Sequence, residues 1–150
     1  MNYLYKTAFF ILTGFLASYI CQVIGSDYLR DFLSSQLVGI IITLMAINTA
    51  TCSFLIAKLD DLKKGKPIDF SKTTTSIKNS LIEQVIIMSL AIVIGVLSSS
   101  KTINYNNINS DLIFTSLRCA IFINTIQILN DTGLLMFDIF ESINTNKNEE

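Results

Sequence analysis

The side chains with most chemistry to offer lie in the last long apolar stretch, residues 112–135, which holds Arg118, Asn124, Gln127 and Asp131. The last three are spaced by three and four, so they share one face if the stretch is helical. Such a face is expensive in hydrocarbon, where a central Arg alone costs roughly 2.5 to 3.5 kcal/mol on insertion scales. Two chemistries suit it. It can line a water-filled pathway, or it can hydrogen-bond across a helix bundle at about 0.6 to 2 kcal/mol per contact. Asn48, in the middle of another apolar stretch, poses the same choice, and a contact with Asn124 would satisfy both amides. Arg118 is expected to pair with Asp111, two turns earlier, or to reach out to the nearer membrane surface.

Catalytic readings are poorly supplied. The chain has no His, which excludes a Ser-His-Asp triad, a Cys-His dyad and a His-ligated zinc site. Cys21, Cys52 and Cys119 stand singly in apolar surroundings, neither a disulfide framework nor a metal spacing, and read as small packing residues. No nucleophile has a base beside it and no paired carboxylates present themselves. We therefore expect a non-enzymatic protein without metal or cofactor. The net charge of -1 is too balanced for a nucleic-acid binder.

The elements that must hold these residues are membrane spans. Hydrophobic residues make up 51% of the 150 residues and charged ones only 15%, which is rich in apolar side chains for a soluble domain. Residues 37–57 carry no charge and would cover roughly 30 Å as a helix, the thickness of a bilayer core. Residues 5–24, 81–97 and 112–135 are the other three spans, giving an all-α, four-span protein in a single domain. In the second span Gly39, Thr43, Ala46, Ala50, Ser53 and Ala57 form a stripe of small side chains, which lets helices approach closely in lipid. That helix reads as the packing centre of the bundle and as a surface for homo-oligomers. Gly14 and Ser18 in the first span, with Cys21 and Gly25, would lie against it, and Gly95 serves the third. Between the first two spans, residues 26–36 fit either an interfacial helix, with Tyr28, Leu29, Phe32 and Leu33 on one side, or an extension of the span. Ser80 with Glu83 has the form of a capping box.

Charge sets the orientation. Lys58, Lys63, Lys64, Lys66, Lys72 and Lys78 cluster in the polar loop 58–78, and Lys6 and Lys147 fall on the same side, against Arg30 and Lys101 on the other. By the positive-inside rule both termini are cytoplasmic. The loop, with Lys63, Lys64, Lys66 and Phe70, and the amphipathic continuation after residue 135, with Phe137 and Phe140, are candidate docking elements for a soluble cytoplasmic partner. Anionic lipid would answer the lysines equally well. The tail closing 136–150 is polar.

Four short spans, small external loops, a basic cytoplasmic loop and an Asn-rich composition resemble the small membrane subunits of bacterial anti-phage defence systems, the Kiwa type in particular. Residues 37–57, the loop 58–78 and the run Asn79-Ser80-Leu81-Ile82-Glu83-Gln84 carry the resemblance. It implies a non-enzymatic inner-membrane homo-oligomer that senses disturbance of the envelope and holds a cytoplasmic effector. A small holin-like channel is the competing expectation, its lumen lined by the polar face of the fourth span.

Overall fold

Long runs without Pro, and with Gly only at isolated positions, leave the backbone free to stay helical, and hydrocarbon demands it, because an unsatisfied peptide group there costs several kcal/mol. The computed structural model describes residues 3–63, 71–100 and 108–147. They form four helices and no strand: α1 Tyr3–Ile24, α2 Tyr28–Lys63, α3 Ser71–Ser99 and α4 Ile108–Lys147. Each is long and apolar enough to cross a membrane. Side chains on the outside are predominantly apolar, Phe9, Ile24 and Val96 among the most exposed, while Asn48, Gln84, Thr115, Ser116, Thr125 and Thr132 are buried. That inside-out distribution is the one a protein dissolved in lipid adopts.

Of residues 26–36, all from Tyr28 on extend the second span. Nothing between Tyr28 and Leu37 breaks the helix, and α2 runs unbroken for 36 residues. The corner before it is a Schellman motif. Gly25 takes φ +72°, its N–H donates to Gln22 O at 3.1 Å, and the Ser26 N–H donates to Cys21 O at 2.9 Å, so α1 ends on satisfied carbonyls.

The centre of the bundle is α4, and not the second span. It touches α1, α2 and α3, whereas α1 barely meets α2 and does not meet α3 among the described residues. The physical reason is polarity. Thr115, Ser116, Arg118, Thr125 and Thr132 of α4 are all buried, and a helix with polar atoms on several sides is cheapest when surrounded by other helices.

The small stripe of α2 is likewise turned the other way. Gly39, Thr43, Ala46, Ala50, Ser53 and Ala57 are all exposed, and the packed face is Leu33, Leu37, Ile41, Asn48, Cys52, Leu55 and Leu59. Asn48 decides the rotation. Ala46 and Ala50 stand two residues to either side of it, about 200° away around a helix, so burying the amide sends the small residues outward. Thr43 and Ser53 bond back to the carbonyls of Gly39 and Thr49, which quiets their hydroxyls on that outer face.

The stripe of α1 does pack, but against α4 instead of α2. A Cβ on Gly14 would stand 2.5 Å from Ser116 O and 2.9 Å from Ala120 N, so the two backbones are in direct contact there. Ser18, one turn on, is 3% exposed. Gly95 makes no comparable approach, since a Cβ there meets nothing within 4 Å. We therefore expect Gly14→Ala to destabilise the bundle by about 1 to 3 kcal/mol through overpacking. Gly39→Ala and Gly95→Ala should be neutral or slightly stabilising, since Ala is the better helix former. Unfolding by SDS titration in bicelles would separate the three.

Candidate functional site

The buried polar groups sort into three clusters whose heights follow from the helical rise. Asp111 and Asp131 are about 30 Å apart along α4, the thickness of a hydrocarbon core. Asp27, Arg30 and Asp111 mark one boundary, and Lys6 and Asp131 the other.

The first cluster is built on Arg118, roughly 10 Å along α4 from Asp111. Its guanidinium donates through Nη1 to Ser34 Oγ on α2 and through Nη2 to Ser98 Oγ on α3. One side chain thus ties three helices together. The expected pairing with Asp111 is not made, and neither is a reach into solvent, for Arg118 is only 9% exposed. Asp111 stands instead 3.9 Å from Arg30, which also meets Asp27 at 3.3 Å and Asp31 at 3.4 Å. Tight flanking by Ser34 and Ser98 is what draws Arg118 inward. Neither serine stands out in the sequence, because a lone Ser in an apolar run is too common to carry a signal.

The second cluster lies near the opposite boundary. Asn48, fully buried at 0% exposure, donates from Nδ2 to Ser80 Oγ at 3.3 Å, and Ser80 and Thr132 share a hydrogen bond at 3.2 Å. Thr132 also donates to Ile128 O at 3.0 Å. Cys52 brings its thiol to 3.9 Å from Asn48 Oδ1. A chain of small polar groups therefore joins α2, α3 and α4. The predicted contact between Asn48 and Asn124 is replaced by it: Asn124 faces away from α2, two turns from Thr132. Ser80, expected to cap a helix, is instead inside α3 and bonds laterally.

The third cluster is the polar face foreseen on the fourth span. Gln127 donates to Asp131 Oδ1 at 2.6 Å, and Lys6 of α1 donates to Asp131 Oδ2 at 3.1 Å. Asn124 and Gln127 are half-buried, and with Lys6, Glu83 and Asp131 they line a cavity of about 140 Å³. This cleft opens where α1 and α3 fail to meet. It is a lateral recess and not a central lumen, since the axis of the single bundle is filled by Leu37, Ile41, Ile87, Ala91 and Ile128. Lys6 was readable as the lone charge in the first span, though its partner was not.

Two buried groups have no hydrogen-bond partner among the described residues, the Ser18 hydroxyl and both ends of the Gln84 amide. Gln84 is 1% exposed, one turn from Ser80. Of the expected docking residues, Phe137 is 73% exposed on the far part of α4. Lys64, Lys66 and Phe70 lie outside the described residues, as do the side chains of Lys63 and Phe140. Cys21, Cys52 and Cys119 are free thiols, and the last two are packed in the core.

The amide ledger gives opposite expectations for two substitutions. Gln84→Met keeps length and removes an unpaired buried amide, so it should raise stability by about 1 to 3 kcal/mol. Asn48→Leu breaks the link between α2 and α3 and should lower stability by about 0.6 to 2 kcal/mol. Equilibrium unfolding in mixed micelles would read both. No protein-family model matches the chain, and no curated protein or solved structure matches it either.

Proposed function

We propose that this multi-pass membrane protein is a non-enzymatic scaffold of the bacterial inner membrane, with both termini cytoplasmic, that oligomerises and holds a soluble effector at its lysine-rich end. One observation supports the reading: three of the helices continue packed together past the Lys6–Asp131 pair. Past the Lys6–Asp131 pair, where α1 runs out, α2, α3 and α4 share a second apolar core of Cys52, Leu55, Leu59, Ile77 and Ile139. A helix that served only to span needs about 20 residues, whereas α4 has 40, roughly 60 Å. The positive-inside rule assigns this stem to the cytoplasm. Phe137 on its surface is the kind of exposed aromatic that anchors a partner. The outward stripe from Gly39 to Ala57 supports close helix contact between copies. A place in anti-phage defence is the part of this reading that rests on the resemblance alone.

Affinity purification of the tagged protein from detergent extracts should retain a soluble partner. Phe137→Asp, and separately Lys63, Lys64 and Lys66 each changed to Glu, should weaken that association at least tenfold. Unaltered retention in both variants would remove the docking reading.

A channel is the second reading, favoured by the recess that Lys6, Glu83, Asn124, Gln127 and Asp131 line. Copies arranged with these recesses facing a common axis would surround a polar path. Liposomes containing the protein should then leak ions, and Gln127→Leu with Asn124→Leu should slow the leak; tight liposomes, or a leak indifferent to the pair, would discard it.

A further inference from the structure

Helices α1 and α2 are joined by a short corner, residues 25–27, yet they barely touch each other. Both lean on α4 instead, so they diverge below the corner and leave a wedge with α4 as its back wall. The wedge is a cavity of about 280 Å³. Asp27, Arg30 and Asp111 stand at its mouth, on the membrane boundary, while Ser18 and Thr115 line it deeper in and Leu112 gives an apolar side.

The mouth carries more negative charge than it answers. Arg30 is the one cation of the lining, and its nitrogens are divided among Asp27 at 3.3 Å, Asp31 at 3.4 Å and Asp111 at 3.9 Å. Even with Arg118 counted, which lies within electrostatic reach of Asp111, three carboxylates meet two guanidiniums. Asp111 is held at the longest of the three distances. Among the described residues no group of His, Cys, Asp and Glu is dense enough to hold a metal ion, so the charge left over suits an organic cation.

The Ser18 hydroxyl is a second and independent pointer to a ligand. It is 3% exposed and has no hydrogen-bond partner among the described residues. Thr13, Thr43 and Ser116 each donate to a carbonyl one turn back, and Ser18 makes no such bond. A buried hydroxyl left unmatched costs stability, and a ligand atom that reaches it removes the cost. Ser18 stands six residues before the end of α1, roughly 9 Å below the corner. The wedge thus asks for a positive charge at its mouth and a hydrogen-bonding atom further in.

A primary ammonium on a short, oxygen-bearing chain meets both demands. Its three N–H donors form charge-assisted bonds with carboxylates, and the volume, just under the range of about 300 to 1,000 Å³ usual for small-molecule sites, suits a group of that size. We propose that this wedge is a seat for an alkylammonium, its charge held between Asp27 and Asp111 and its oxygen bonded to Ser18. The ammonium comes either from the ethanolamine headgroup of a phospholipid in the adjacent leaflet or from a free amino alcohol in solution.

The full chain is reconstituted in phosphatidylcholine nanodiscs, with phosphatidylethanolamine added in one arm and ethanolammonium chloride in another. Choline, potassium and magnesium chlorides of equal ionic strength are the controls, choline having the charge without the N–H donors. Thermal unfolding and native mass spectrometry of retained lipid are the readouts. A stabilising shift with phosphatidylethanolamine alone assigns the seat to a headgroup, and a shift with ethanolammonium assigns it to the free amine, alone or as well. Asp111→Asn should weaken binding about tenfold or more, and Ser18→Ala about three- to tenfold. Cys21→Leu, which crowds the wedge and leaves every charge in place, should abolish the shift, and if that variant does not fold, the other two decide. No shift in either amine arm, an equal shift with choline, potassium or magnesium, or a shift that survives any of these variants undiminished would overturn the proposal.

Discussion

A hydrogen-bonding side chain that must cross hydrocarbon has to find its partner inside the protein, and this requirement sets the arrangement of the four helices. Lipid tails compete on equal terms for apolar surface, so burying Leu or Ile against another helix gains little there. Polar groups have no such alternative. Asn48 turns the leucine-rich face of α2 inward because that face is its own. Arg118 gathers Ser34 and Ser98 from two other helices. The helix with most polar atoms, α4, takes the middle.

The two hydrogen-bonded layers divide the work. One, around Arg118, ties α2, α3 and α4 about two turns in from Asp111. The other, running from Asn48 through Ser80 to Thr132, ties the same three helices near the opposite boundary. Between them lies an apolar core that includes Ile41, Ile87, Ala91 and Ile128. Layers at both ends fix the register of three helices against sliding, since a shift of one turn would break both at once. Helix α1 belongs to neither layer. It is held by backbone contact at Gly14 and by the Lys6–Asp131 pair.

The existence and number of the helices were legible in the sequence because a bilayer imposes a length and a polarity that a local window can read. Their ends were less so. Of the two readings open for the stretch before residue 37, α2 takes the extension of the span, and no local residue decides it, since Tyr28 to Gln36 is amphipathic enough to lie flat or stand upright. The polar residues that matter were mostly identified, with Asn48, Arg118, Gln127 and Asp131 all in hydrogen-bonded clusters. Their partners were not. Asn48 meets Ser80 instead of Asn124, and Arg118 meets serines instead of Asp111, because pairing depends on which helices adjoin. The small stripe on α2 misled for a related reason: periodicity finds a face, but rotation depends on the most demanding residue elsewhere on the helix.

The close approach of α1 to α4 bears on how the chain assembles. The N-terminal helix enters the bilayer first, yet the groove that receives Gly14 is made of Ser116 and Ala120, on the last of the four spans in chain order. Helices α2 and α3 offer α1 little to lean on meanwhile. Both of the contacts that hold α1, at Gly14 and at Lys6, are therefore available only once α4 has been made. Completion of the fold is a ring closure between distant parts of the polypeptide, a pairing of the high sequence separation that slows folding in general.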